Sequence, residues 1–247
     1  KSLGAKTLAI VNAMGSSIAR EADMLIYTHA GPEIAVASTK AYMVQIAVMY
    51  LFAFELALAV GNIDETECRR LVKLLQETPE VITGILEHKE QTQYIASSLI
   101  TADSLLYIGR GLDYALSMEG SLKLKEISYI HSEAYAAGEL KHGPIALLQE
   151  GRLVVATITQ PQLIDKAMSN LKEVKARGAR ILAICRENLR EKVEPEVDEL
   201  ILIPDADELL CPLLAAIPLQ LFAYCMAVQR GCDVDKPRNL AKSVTVE

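Results

Sequence analysis

Short apolar runs of strand length alternate with longer segments of helical periodicity along this chain, and one part of that pattern occurs twice. Residues 4–30, GAKTLAIVNAMGSSIAREADMLIYTHA, line up with residues 178–206, GARILAICRENLREKVEPEVDELILIPDA, with a two-residue gap. Each copy predicts a strand (7–11; 181–185), a short polar helix, and a second strand opened by an Asp (24–28; 199–204). A long apolar helix follows each copy, near 39–60 and 209–229. Two copies this far apart point to duplicated domains, not to a solenoid.

The context of the copies differs. The second is preceded by a predicted strand at 104–110, a helix at 113–129, a glycine-containing segment at 131–144, a strand at 153–158 and a helix at 162–177. Almost nothing precedes the first, and Lys1 stands where a methionine would start a protein, so further chain is expected upstream. The expected division is the second half of a first domain over 1–63, connecting helices over 64–94 with Pro79 as punctuation, a second domain over 95–230, and a tail over 231–247.

Composition narrows the class. Half the residues are apolar (51%), tryptophan is absent and aromatics are few (5%), so the interior must be built from Leu, Ile, Val and Ala. Helix-covered parallel sheets have such interiors, and the expected fold is α/β. A net charge of −7 argues against a partner held through nucleic-acid phosphates. The five cysteines form no CxxC pair, which fits reduced thiols and a cytoplasmic location. The stretch 41–60 is long enough to span a bilayer, but it carries Gln45 and Glu55 and reads instead as a helix at a domain or dimer interface.

Four segments could carry chemistry. In EGSLKLKEISYIHSEAY, 119–135, Glu119, Lys123 and Glu126 fall at i, i+4 and i+7 and share one helix stripe. That spacing suits an exposed ion pair, or a carboxylate tuned by an ammonium to move a proton. In AAGELKHGP, 136–144, His142 stands beside Gly143 and Pro144, as a surface turn residue or as a titrating group in a constrained loop. In DVDKPRNLAKSVTVE, 233–247, Lys242 belongs to a polar tail that is disordered by default. If that tail folds over a pocket, the lysine becomes a carbonyl nucleophile. In GPEIAVASTK, 31–40, Ser38 and Thr39 precede the first long helix as cap candidates.

Together, EGSLKLKEISYIHSEAYAAGELKHGP, DKPRNLAKSVTVE and AGPEIAVASTKAY resemble the isomerase region of the glutamine–fructose-6-phosphate aminotransferases, a family with tandem sugar isomerase (SIS) domains. The resemblance runs the length of the chain and implies two flavodoxin-like domains, the first incomplete. It implies fructose 6-phosphate and glucosamine 6-phosphate as ligands, with Lys242 forming a Schiff base and Glu126 shuttling a proton between C1 and C2. Lys123 would tune Glu126, and His142 would open the sugar ring from a partner subunit of a homodimer. Val36, Ala37, Ser38 and Ala241 would contact the sugar. No metal, organic cofactor, nucleic acid or membrane is implied. The family's phosphate-binding loop and its glutaminase domain would lie upstream of Lys1, so none of the five cysteines is the glutaminase nucleophile. The rival readings are a phosphosugar-sensing SIS protein without catalysis, and a related ketose–aldose isomerase or deaminase.

Overall fold

The computed structural model describes residues 1–242, so the last five residues of the expected tail lie outside the described residues. The first copy of the repeat forms β1 (Leu8–Val11), α1 (Ser17–Glu21) and β2 (Met24–Tyr27), a parallel pair in register from Leu8 opposite Met24 to Val11 opposite Tyr27. The apolar helix α2 (Lys40–Ala59) follows, and then two helices, α3 (Glu65–Glu87) and α4 (Lys89–Ser98).

The larger sheet comes next. Its elements in chain order are β3 (Ser104–Gly109), α5 (Leu112–Ser128), β4 (His131–Ala136), β5 (Leu153–Ile158), α6 (Ile164–Lys175), β6 (Arg180–Arg186), α7 (Arg190–Val193), β7 (Glu199–Ile203) and α8 (Cys211–Gln229). All five strands are parallel, in the order β4-β3-β5-β6-β7. This is a doubly wound sheet whose chain direction reverses between β3 and β5.

Alternation along the strands builds both layers, because successive side chains leave a strand on opposite faces. Leu153 and Val155 pack with α5 and α8, while Val154, Ala156 and Ile158 pack with α6 on the other side. Burial on both faces turns each strand into a nearly unbroken apolar run. The α5–α8 contact is close because position 120 is glycine: a Cβ there would meet Leu219 Cδ2 at 2.8 Å and the Tyr107 ring at 3.0 Å.

Three expectations change, and two apolar helices differ in burial. The segment 131–144 contains an edge strand, β4, before two 3-10 turns, Ala137–His142 and Pro144–Leu147. Its polar composition hides it, since only one flank of the strand is paired. Pro79 does not break the connecting region but lies inside α3, where the Thr78 and Thr83 hydroxyls donate to the carbonyls of Leu74 and Pro79. Thr39 makes no side-chain cap to α2. The helix α2 is mostly unburied, with only Val48 and Phe54 fully inside, whereas α8, equally long and apolar, is mostly buried. By length and composition alone both helices could cross a membrane.

Candidate active site

The stripe on α5 faces inward. Lys123 is 5% exposed, Glu119 9% and Glu126 22%, so the reading of an exposed surface pair fails. The Lys123 ammonium stands 2.6 Å from Glu126 Oε2 and 3.8 Å from Glu119 Oε1. The Glu126 contact is an ion pair outside hydrogen-bonding angles, and Oε2 is buried without a hydrogen-bond donor. Burial pushes the Glu119 carboxyl up, against the pull of Lys123 and of a 3.4 Å bond from Gln220 Nε2. One cation thus serves two carboxylates, of which the less buried is Glu126.

That opening is a cavity of about 260 Å³ between α5 and the start of α2, lined by Val36, Ser38, Ala41, Tyr42, Gln45, Glu119, Leu122, Lys123 and Glu126. Burial, with the Glu119 charge added, pushes the Tyr42 phenol up to about 12, so it remains a protonated hydrogen-bond donor at neutral pH.

The segment 31–39 forms one wall. Glu33 organises it: Oε1 accepts from the backbone N–H groups of Thr39, at 2.9 Å, and Ala41, at 3.3 Å. A carboxylate from six residues upstream therefore caps the 20-residue helix α2. Burial opposes the charged form of Glu33, yet those two N–H groups and the Lys242 ammonium hold its carboxyl below the usual range.

The described part of the tail is fastened to this wall. Val36 N–H donates to Asp235 O at 3.0 Å. Arg238 N–H donates to the Tyr129 hydroxyl at 2.8 Å, and the Arg238 guanidinium lies 4.1 Å above the Tyr129 ring. Lys242 Nζ donates to Ala35 O at 2.7 Å and to Glu33 Oε2 at 3.3 Å. Its acceptor Ala35 precedes Val36, which lines the cavity; Lys242 itself is not among the lining side chains. A tail with little apolar surface is held by these polar contacts to 31–39 and to the end of α5, with Val234 packed on the core.

The other expected residues divide. Val36 and Ser38 line the cavity, while Ala37 is buried behind them and Ala241 is exposed. His142 closes a 3-10 turn before Gly143, whose φ of 143° favours glycine, so the histidine is not in an open loop. Its side chain is 77% exposed, lies 3.8 Å from Glu139 and does not reach the cavity of its own chain. All five cysteines are free, and burial pushes the thiols of Cys185 to about 12 and Cys211 to about 11, away from nucleophilic use. Among the described residues no group of three or more His, Cys, Asp or Glu side chains could hold a metal ion.

Sequence reasoning passed over Glu33, Tyr42, Gln45 and Gln220. The first three stand within or just after the quoted segment AGPEIAVASTKAY. A loop glutamate that caps a helix from a distance has no spacing signature, and Gln220 reaches Glu119 from a helix 101 residues away.

The SIS domain model matches residues 1–54 and 98–230. The chain is 54% identical over 248 aligned positions to the glutamine–fructose-6-phosphate aminotransferase [isomerizing] of Caldanaerobacter subterraneus subsp. tengcongensis. It is 51% identical to the protein of that name from Clostridium tetani. In both cases the alignment takes in 100% of this chain and 40% of the relative, so the chain spans less than half the length of these proteins. Among solved structures it superposes on the C-terminal domain of glucosamine-fructose-6-phosphate aminotransferase from Francisella tularensis with a TM-score of 0.89. That match has 35% identity and covers 93% of this chain and 64% of the other. A glucosamine-6-phosphate deaminase from Thermotoga maritima, at 24% identity and a TM-score of 0.69, shares the fold.

Proposed function

The chain belongs to the SIS-domain family, and from that premise we propose that it is the isomerase part of a glutamine-dependent enzyme making glucosamine 6-phosphate from fructose 6-phosphate. One observation carries the reading: a half-buried carboxylate, Glu126, paired with an ammonium and lining a cavity, with a lysine amine bonded to Ala35, the residue before the cavity-lining Val36. The names of the relatives support the substrate and the product.

The chemistry follows from the residue types. Fructose 6-phosphate opens to its C2 ketone. Lys242, having released a proton, adds through Nζ to C2, and the carbonyl oxygen leaves as water to give an imine. Ammonia displaces the lysine from C2 and restores the amine. Glu126 takes a proton from C1 and returns one to C2, while the C1 hydroxyl loses its proton and becomes the aldehyde. Lys123 fixes the Glu126 carboxylate in place and offsets its charge. The Tyr42 hydroxyl and the backbone of 36–38 offer hydrogen bonds to the sugar.

His142 opens the ring from a second copy in a homodimer, in keeping with its exposure here. Residues 1–63 and 95–230 are the two SIS units, 64–94 joins them, and 231–247 closes over the site. The phosphate anchor and a glutaminase domain that supplies ammonia belong to the part of the protein before Lys1, and the whole enzyme is cytoplasmic.

The test is borohydride reduction of the full-length protein in the presence of fructose 6-phosphate, followed by peptide mapping. A reduced hexose phosphate adduct on Lys242 is expected. Turnover of the sugar with no adduct on that lysine would overturn the Schiff-base reading.

A further inference from the structure

We propose that Glu33 is the positioning residue for Lys242: it sets the amine against the segment that walls the cavity by joining the N-terminus of α2 to the chain's last lysine through one carboxylate. The inference rests on the Schiff-base reading above and adds a residue to it.

The two oxygens of Glu33 have separate tasks. Oε1 takes the Thr39 and Ala41 N–H groups, which fixes the carboxylate to the N-terminus of α2. Oε2 is left for the Lys242 ammonium at 3.3 Å. The Glu33 side chain is nearly buried while the lysine is half exposed, so the fixed partner is the carboxylate and the guided one is the lysine. The second ligand of the amine, Ala35 O, lies in the same segment, and Val36 beyond it is tied to Asp235 O. A lysine side chain has four rotatable carbons, and its freedom at the end of a polar tail would otherwise spread the amine over a wide volume. Held at two points, it is confined to one place one residue from the cavity wall. Misplacing a reacting group by about 1 Å lowers a rate by up to about 100-fold.

Glu33 contacts the Lys242 amine and is not among the side chains that line the cavity, so its loss should appear in kcat and in the rate of adduct formation, with little change in KM. Glu33→Gln is the informative variant. A glutamine Oε1 still accepts from Thr39 and Ala41, so the cap on α2 survives while the charge facing Lys242 is lost. In the full-length protein with fructose 6-phosphate, borohydride trapping on Lys242 is expected to slow by about 10- to 100-fold, with kcat falling in parallel and KM within about two-fold. Glu33→Asp keeps the carboxylate on a shorter reach and should trap faster than Glu33→Gln. Trapping by Glu33→Gln at the wild-type rate overturns the proposal, as does a loss confined to KM. Trapping by Glu33→Asp no faster than by Glu33→Gln overturns it as well, and that comparison stands on the trapped fraction of whatever protein is folded. A wild-type protein that forms no adduct would sink the Schiff-base reading instead.

Discussion

Two regions of the molecule keep carboxylates out of water, and they do so to different ends. At the reversal between β3 and β5, where open α/β sheets commonly hold ligands, Asp113 is buried and accepts from the Thr159 N–H at 2.9 Å and from the Thr159 hydroxyl. Around it Arg110 Nη1 donates to Asn170 Oδ1 at 2.6 Å and Gln160 Nε2 donates to Arg110 O at 2.6 Å. Gly109 admits the backbone of Asp113, which a Cβ would meet at 2.3 Å. The space beside Arg110 and Asn170 is about 10 Å³, no more than one water needs. The crevice is filled by its own polar groups. At the other region, beside α5 and α2, the cavity is about 260 Å³ and Glu126 Oε2 has an ammonium beside it but no aligned donor. Where hydrogen bonds saturate the carboxylate and no room remains the cluster is structural, and where carboxylate and ammonium line open space the cluster is available for chemistry.

The largest effect should separate the two most sharply. Glu126→Gln is nearly isosteric and should lower sugar turnover by about 10²- to 10⁴-fold, with the thermal midpoint close to wild type. Steady-state kinetics and a melting curve on the full-length protein check both halves. Asp113→Ala should behave in the opposite way. It strands the Thr159 donors in the core, costs about 1–3 kcal/mol in denaturant unfolding, and leaves kcat of the folded fraction unchanged. A kcat loss in Asp113→Ala matching that of Glu126→Gln would erase the distinction.

The smallest effect is a pH dependence. Burial raises the Glu119 carboxyl above its ordinary value of 4.5. A carboxyl that binds its proton more tightly when folded contributes stability below the unfolded value, and this is lost as pH rises through the folded one. Wild-type stability measured against Glu119→Gln should therefore decline as pH rises above about 4.5 toward neutral. A difference that grows in favour of wild type over that range would mean that Lys123 dominates this carboxyl.

Much of this was legible in the sequence, for local reasons. The repeat placed β1, β2, β6 and β7 within a residue or two, because strand runs bounded by Gly and Asp carry their own period. The stripe on α5 followed from helical spacing, and Glu119, Lys123 and Glu126 do lie together. What sequence could not give depends on partners distant along the chain. The burial of that stripe is set by α2 and 31–39. The cap on α2 comes from Glu33 and not from the adjacent Ser38 or Thr39. Two similarly apolar helices ended differently, α8 buried against a five-stranded sheet and α2 beside a two-stranded one, mostly open. Periodicity states which face wants cover, and not whether the described residues supply it.

The proposed mechanism divides the labour, with Lys242 holding the sugar and Glu126 moving the proton. Borohydride trapping of the Glu126→Gln full-length protein with fructose 6-phosphate tests it most directly. An adduct on Lys242 at close to the wild-type yield is expected, with almost no glucosamine 6-phosphate. Product at the wild-type rate, or no adduct from a variant that is folded, would contradict it.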